Sequence, residues 1–402
     1  MKQSGGNVVE EARRAALEVL RHNARGPCDG LPRTAGWGYP EPYTRDWMIS
    51  ALGILSSGDD ELIRVVRRVL DALARTQSRN GMISSLAHNP ADLGASDTTP
   101  LFLIGAACYR RQTGRASYLK SAVGRALTWM RFQSPEDNVL TAQQPTTDWR
   151  DEQWVMGYGL YVNTLVHCYL RQYGMHDQAD ELCRLMTRFD IPRDGRQEYV
   201  HNGLAVGDKP YYALWSYKMY GSERFDLLGN CLAVLSGLAP RRRARRIVDW
   251  VESECDALRR AGRLALPLPP CFFPYIEPGD PDWRDRYGQF NRPGDYHNGG
   301  VWPFVCGFYV AALVAAGRRQ LARLRLKQLA ELVRPAGERD VAFGFNEWFD
   351  AIEGRPRGQD WQTWSAAMYL YAVECVERGE TPFFDGIRSA AWDGAAAGSR
   401  RT

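Results

Sequence analysis

Five stretches of this 402-residue chain mix carboxylates, amides, guanidinium groups and indoles. The first ends in Gly36-Trp37-Gly38-Tyr39 and continues into Tyr43-Thr44-Arg45-Asp46-Trp47. The second leads to Asp97-Thr98-Thr99-Pro100. The third is Thr147-Asp148-Trp149-Arg150-Asp151-Glu152-Gln153-Trp154. The fourth is Asp295-Tyr296-His297-Asn298-Gly299-Gly300-Val301-Trp302-Pro303. The fifth holds Phe345-Asn346-Glu347-Trp348-Phe349-Asp350 and then Gln359-Asp360-Trp361-Gln362-Thr363-Trp364. Sugars call for this mixture: carboxylates and amides pair with hydroxyls, arginine offers bidentate geometry, and an indole covers the ring face. Glycoside hydrolysis needs one acid that protonates the leaving oxygen and a second carboxylate that activates water or attacks carbon. An apolar, aromatic pocket keeps the donor protonated near neutral pH by disfavouring its charged form. Asp151, between Trp149 and Trp154, and Glu347, directly before Trp348-Phe349, suit the two roles and lie on different stretches. The competing reading of each is a solvated or helix-capping acid. Asp97, just before Thr98 and Thr99, is as consistent with an N-cap as with a sugar contact. Asp46, wedged between Arg45 and Trp47 after a tyrosine-rich loop, favours function.

These stretches must be held by helices. Apolar residues recur at helical spacing through most of the chain, as in Leu62, Val65, Val66, Val69, Leu70 and Leu73. The pattern predicts thirteen helices near 7–24, 46–57, 59–76, 97–113, 115–133, 154–173, 175–190, 209–221, 223–238, 240–261, 299–317, 319–334 and 362–378. The long loops between them, at 26–45, 77–96, 134–153, 191–208, 262–298 and 338–361, carry the chemistry, as long ordered loops usually do. Short strands fit 79–86 and 138–144. No strand–helix alternation argues for a parallel sheet. The reading is one all-α domain over 7–389, with disordered ends at 1–6 and 390–402.

Bulk composition excludes several classes. The chain carries 51 basic and 47 acidic residues, for a net charge of +4, so nothing favours a nucleic-acid or membrane partner. The one basic run, Arg241 to Arg246, reads as a solvated helix face. No apolar run of membrane-spanning length occurs, and the first twenty residues lack a leader's apolar core. Nine cysteines are scattered singly and six histidines are isolated, without zinc-ligand spacing. Free thiols in a reducing, cytoplasmic setting, with no metal and no cofactor, are the expectation. The 13 tryptophans and 19 tyrosines fit either sugar binding or core packing.

The run Tyr296-His297-Asn298-Gly299-Gly300-Val301-Trp302-Pro303 resembles the alkaline/neutral invertase family and related bacterial six-hairpin glucosidases, including the C-terminal domain of glycogen-debranching enzymes. So do Glu347-Trp348-Phe349-Asp350, Gly354-Arg355, Gly358-Gln359 and Trp361 to Ala366. Phe225-Asp226-Leu227-Leu228-Gly229-Asn230 and Arg45-Asp46-Trp47 are similar too. The resemblance covers roughly residues 36–375. It implies an (α/α)6 barrel with a funnel at one end and an inverting mechanism, which sets the two carboxyls about 6.5–9.5 Å apart. The base falls on Glu347. The acid falls within 148–154, on Asp151 in preference to Asp148, which remains a competitor because the invertases carry a different run there. Arg45 and Asp46 would grip hydroxyls, and His297, Gln359 and Trp361 would line the pocket, with Trp37, Tyr39, Asp97, Asp148, Trp149, Asn298 and Trp302 as further substrate contacts. A capping role is the alternative for His297. The substrate class is a small saccharide or α-glucoside, with sucrose, other glucosides and glycosyl-glycerates all open. Two other functions fit a helical toroid: a sugar isomerase or epimerase using histidines such as His201 and His297, and a non-catalytic carbohydrate-binding protein.

Overall fold

The computed structural model describes residues 8–134, 139–193, 196–201, 203–217 and 220–398. Expectations for residues 1–6 and for residue 138 lie outside that range. The first helices are α1 (Val8–Asn23), α2 (Thr44–Ser57), α3 (Asp60–Thr76), α4 (Thr98–Thr113) and α5 (Lys120–Arg131). After β1 (Tyr158–Gly159) come α6 (Leu160–Gln172) and α7 (His176–Thr187). Four strands follow: β2 (Phe189–Arg193), β3 (Arg196–His201), β4 (Ala213–Tyr217) and β5 (Tyr220–Asp226). Then come α8 (Leu227–Ser236), α9 (Arg241–Arg260), β6 (Phe272–Phe273) and the single turn α10 (Tyr287–Phe290). The chain continues through α11 (Pro303–Ala315), α12 (Arg319–Leu332), β7 (Trp348–Phe349), β8 (Pro356–Arg357), α13 (Thr363–Arg378) and α14 (Asp385–Gly398).

Burial sorts the helices into two layers. Every residue of α11 from Pro303 to Val314 is buried, and so is α13 from Thr363 to Cys375. A helix apolar on all sides belongs inside. By contrast α3 buries only the stripe Leu62, Val65, Val66, Val69, Leu70, Ala72 and Leu73, and α9 only Ala244, Ile247, Val248, Val251 and Cys255. The inner helices α2, α4, α6, α8, α11 and α13 pack in that order, and α13 closes the ring against α2. Outside them, α3 lies on α2 and α4, α5 on α4, α7 on α6, α9 on α8, α12 on α11 and α13, and α1 on α13 and α12. This is the (α/α)6 toroid. The α2–α13 contact is close enough that a Cβ at Gly53 would collide with the Ala367 carbonyl oxygen.

Twelve of the thirteen expected helices are present. The exception is 209–221. Its Tyr- and Trp-rich sequence suits a pleated, half-buried surface, and it forms β4 and the start of β5 in an antiparallel sheet of order β1-β4-β5-β6. Residues 223–226 of the expected helix 223–238 therefore belong to β5, and α8 starts at Leu227. The expected loop 191–208 holds the β2–β3 hairpin. The proposed strands at 79–86 and 138–144 shrink to single bridges, Tyr43 with Leu86 and Gln143 with Gly157. Of the expected tail at 390–402, residues 399–402 lie outside the described residues; α14 runs to Gly398 and packs on α8 and α6, and Trp392 donates to the Ala239 carbonyl at 3.0 Å.

Candidate active site

Each inner helix begins at the end where the chemistry-bearing stretches lie, and direct contacts join those stretches. Arg45, in the first turn of α2, donates to Asp97 ahead of α4 and, at 2.9 Å, to the Asp148 carbonyl of the loop before α6. Arg150 of that loop pairs with Asp226, which caps α8. Asp151 faces His297 ahead of α11, and Val301 bridges to Phe349 in the loop leading to α13. Ala35 bridges to Gln362, which returns the circuit to α2. The mouth of the toroid is thus a ring of connected loops.

Three carboxyls converge there. Glu347 is 7% exposed, and burial pushes its pKa up to about 8, with the charges of Asp46 and Asp151 adding to the rise. The Gln359 backbone N–H, 3.2 Å from Oε2, and the Gln362 amide pull the other way. Gly358 makes this contact possible: it sits at φ +69°, and a Cβ there would strike the Glu347 carboxyl. Asp46, also 7% exposed, is raised by burial to about 7; Arg45 opposes the rise, and Asp97 and Asp151 add to it. The Asp151 side chain is 59% exposed, open to the funnel yet crowded by its walls. That crowding raises its pKa; Arg45 works against the rise, and Glu152 and Asp148 reinforce it. The phenols of Tyr39 and Tyr296 are also raised, by burial first and then by nearby carboxylates, Glu347, Asp46 and Asp151 for Tyr39 and Asp151 and Glu347 for Tyr296.

His297 is 1% exposed, with Nε2 3.9 Å from Asp151 Oδ1. Burial, Arg150 and Arg45 hold its pKa well below the ordinary value, so the imidazole is neutral. It does not cap α11, whose N-cap is Trp302; its ring stacks on Tyr296 at 3.9 Å and on Trp302 at 5.5 Å. At the rim Trp37 is 40% exposed, 4.9 Å from the Trp361 ring, with the Arg339 guanidinium 5.1 Å from its centre. Gln359 packs against Gly38. Tyr296, Phe345 and Trp361 all have φ between 40° and 57°. Each such residue costs about 1–3 kcal/mol, strain that clusters at functional sites.

Several expected sugar contacts lie behind this surface. Asp97 is fully buried and caps nothing; it accepts Arg45 Nε at 2.6 Å and Nη2 at 3.1 Å, and Tyr161 at 3.3 Å. Its role is to orient Arg45. Asp148, 1% exposed, has its carboxylate filled by Gln143, the Arg150 backbone N–H and the Arg150 guanidinium. Three donors hold it, and burial closes what remains of the carboxylate to a substrate. Asn298 spends its amide on the backbone of Ile276 and Asn291. Trp149 and Trp302 are buried edge to face at 5.4 Å. Residue type at these positions pointed to sugar chemistry; in the structure Asp97, Asp148 and Asn298 bond to protein groups, and Trp149 and Trp302 are buried. Conversely, the substrate-contact set omitted Tyr296, although its place in the Tyr-His-Asn-Gly-Gly run was a signal. Asp226 was marked only by its place in the Phe225-to-Asn230 run. The side chain of His201 lies outside the description. Among the described residues no group of three or more His, Cys, Asp or Glu side chains is arranged to hold a metal, and no helix is long and apolar enough to cross a membrane. All nine cysteines are free.

The architecture is that of the six-hairpin glycosidases. Crystal structures of GH63 mannosylglycerate hydrolase from Thermus thermophilus superimpose with a TM-score of 0.62 at 16% identity, covering 89% of this chain and 99% of that one. The form in complex with glucose gives 0.61 at 15% identity, over 89% and 98%. In sequence, residues 220–379 match the family model of alkaline and neutral invertase. The chain is 36% identical over 159 residues to probable alkaline/neutral invertase D of Arabidopsis thaliana, covering 38% of this chain and 27% of that protein. It is 36% identical over 159 residues to cytosolic invertase 1 of Oryza sativa subsp. japonica, over 38% and 26%. The matched stretch thus spans about a quarter of the length of these curated relatives. The resemblance to the alkaline/neutral invertases is borne out on its C-terminal part, and the six-hairpin fold over nearly the whole chain.

Proposed function

We propose that this chain is a glycoside hydrolase that cleaves a small α-glucoside-type saccharide with inversion. Asp151 protonates the leaving oxygen, and Glu347 takes a proton from the water that attacks the opposite face of the sugar. Arg45 and Asp46 hold hydroxyls of the sugar at the cleavage point, and Tyr39, Tyr296, His297, Gln359 and Trp361 line its pocket. The observation that carries this reading is that Asp46, in the first turn of α2, and Asp151 and Glu347, from two separate loops, lie close enough to raise one another's pKa beside Tyr39. Asp151 is preferred over Asp148 as donor because it is open while Asp148 is buried and paired. Incubation with sucrose, other α-linked disaccharides and glucosyl-glycerates, reading free sugar, tests the reading. Release supports it; interconversion without release points to an isomerase, and neither to a binding protein.

A pH dependence follows. The productive form has Asp151 protonated and Glu347 ionised. In the free enzyme burial raises both acids, Glu347 to about 8, and the two share their protons as a pair. The population of the productive form is level between the two pKa values and falls once the shared proton is lost. The log of kcat/KM should therefore decline above pH about 8 and again below the lower pKa of the pair, which a pH profile measures. A kcat/KM still rising at pH 10 contradicts this arrangement.

A further inference from the structure

Arg150 directly precedes Asp151 and turns the other way. Its side chain is fully buried, while that of Asp151 is open to the funnel. Nη2 lies 3.0 Å from Asp148 Oδ2 and Nη1 lies 2.7 Å from Asp226 Oδ1. Both carboxylates are themselves fixed. Asp148 accepts the Arg150 backbone N–H at 2.8 Å and Gln143 at 3.0 Å, and its carbonyl accepts Arg45 at 2.9 Å. Asp226 caps α8 by accepting the Gly229 N–H at 3.1 Å. One guanidinium thus fastens the loop that carries Asp151 to the start of an inner helix. Burying a cation with two carboxylates seldom adds net stability over well-packed apolar residues, so stability alone is a weak reason for its presence. Its charge also helps keep His297 neutral, so the imidazole 3.9 Å from Asp151 does not hold that carboxyl ionised.

We infer that Arg150 is a positioning residue: by clamping residues 148–150 to α8 it sets where the Asp151 carboxyl stands over the glycosidic oxygen. This rests on the reading of Asp151 as proton donor. With an O-glycoside, the carbon–oxygen bond breaks, the electron pair leaves on oxygen, and oxygen takes the proton of Asp151. With α-D-glucosyl fluoride the carbon–fluorine bond breaks, fluoride departs as an anion, and Glu347 takes the proton of the attacking water. No proton passes from Asp151.

The test compares Arg150→Lys, Asp226→Asn and Asp151→Asn on the O-glycoside found by the saccharide panel and on glucosyl fluoride, with circular dichroism to confirm folding. A displacement of about 1 Å at a reacting group costs about 10²-fold. Arg150→Lys is therefore expected to lose about 10²-fold in kcat on the O-glycoside, with KM within about threefold and most of the fluoride rate retained. If that variant does not fold, Asp226→Asn, which keeps the shape and removes one charge, carries the same expectation. Equal losses on both substrates, or no loss, overturn the inference. Should Asp151→Asn also lose both rates equally, the assignment of Asp151 as donor falls. If it spares fluoride while the other two variants do not, only the positioning role falls.

Discussion

Glu347→Gln is expected to leave a folded protein whose kcat is reduced by about 10³-fold or more, because the amide cannot accept the proton of the attacking water. The shape of the site should survive. The amide is nearly isosteric, and the contacts around residue 347 are made by the backbone of Gln359 and by Gly358. Stability should move the opposite way. The folded protein holds the Glu347 proton up to about pH 8, against an ordinary value near 4.5. The parent therefore keeps this contribution below the ordinary value and loses it as pH rises through about 8. Every tenfold gain in proton affinity on folding corresponds to about 1.4 kcal/mol, so the ionised group costs on the order of 3–5 kcal/mol above pH 8. Gln carries no such cost. The variant should melt higher than the parent at pH 9 and close to it at pH 4, and thermal melts at the two values measure the difference. A variant that turns over at near-normal rate removes Glu347 as the base.

The second large effect is on folding. Arg45→Met leaves Asp97 fully buried with no cation, in place of two hydrogen bonds at 2.6 and 3.1 Å. Removing one partner of a buried ion pair costs about 3–5 kcal/mol, and equilibrium denaturation in urea at pH 8 should show a loss of that size. Burial already raises the Asp97 pKa against the opposing pull of Arg45. Without Arg45 the rise is larger, so the unpaired charge is costly above the raised pKa and is relieved as pH falls through it. At pH 5 the deficit should shrink, and Arg45→Met combined with Asp97→Leu should recover most of it. A single-variant loss below about 1 kcal/mol would mean that the pair is not buried in solution.

Both predictions use residues that were visible in the sequence, but only one of the two roles was. The apolar stripes placed nearly every helix of the toroid, because a 3.6-residue period records the face an outer helix must bury. The carboxylates, amides and indoles also marked the loops that form the mouth. The period could not reveal which polar residues would be buried against each other. Asp148 and Asp151 stand three positions apart in one loop with the same functional group. Their difference is made by Gln143 and Arg150, which bond to Asp148, and by Asp226, which pairs with Arg150 from the start of α8 in the folded chain. Asn298 and Asp97 were read as sugar contacts for the same reason and serve as struts. Around 209–221 the apolar count fitted a helix, yet Trp215 pairs with Ser222 and Tyr217 with Tyr220 across β4 and β5, in a sheet that β1 and β6 complete.

The most direct measurement of the two-carboxyl mechanism is proton NMR of the sugar released in the first turnovers, before mutarotation mixes the anomers. Two acids working with a water between them deliver the anomer opposite to that of the substrate. First-formed sugar with the substrate's own configuration would instead require a covalent intermediate on one of these side chains and would contradict the roles assigned to Asp151 and Glu347.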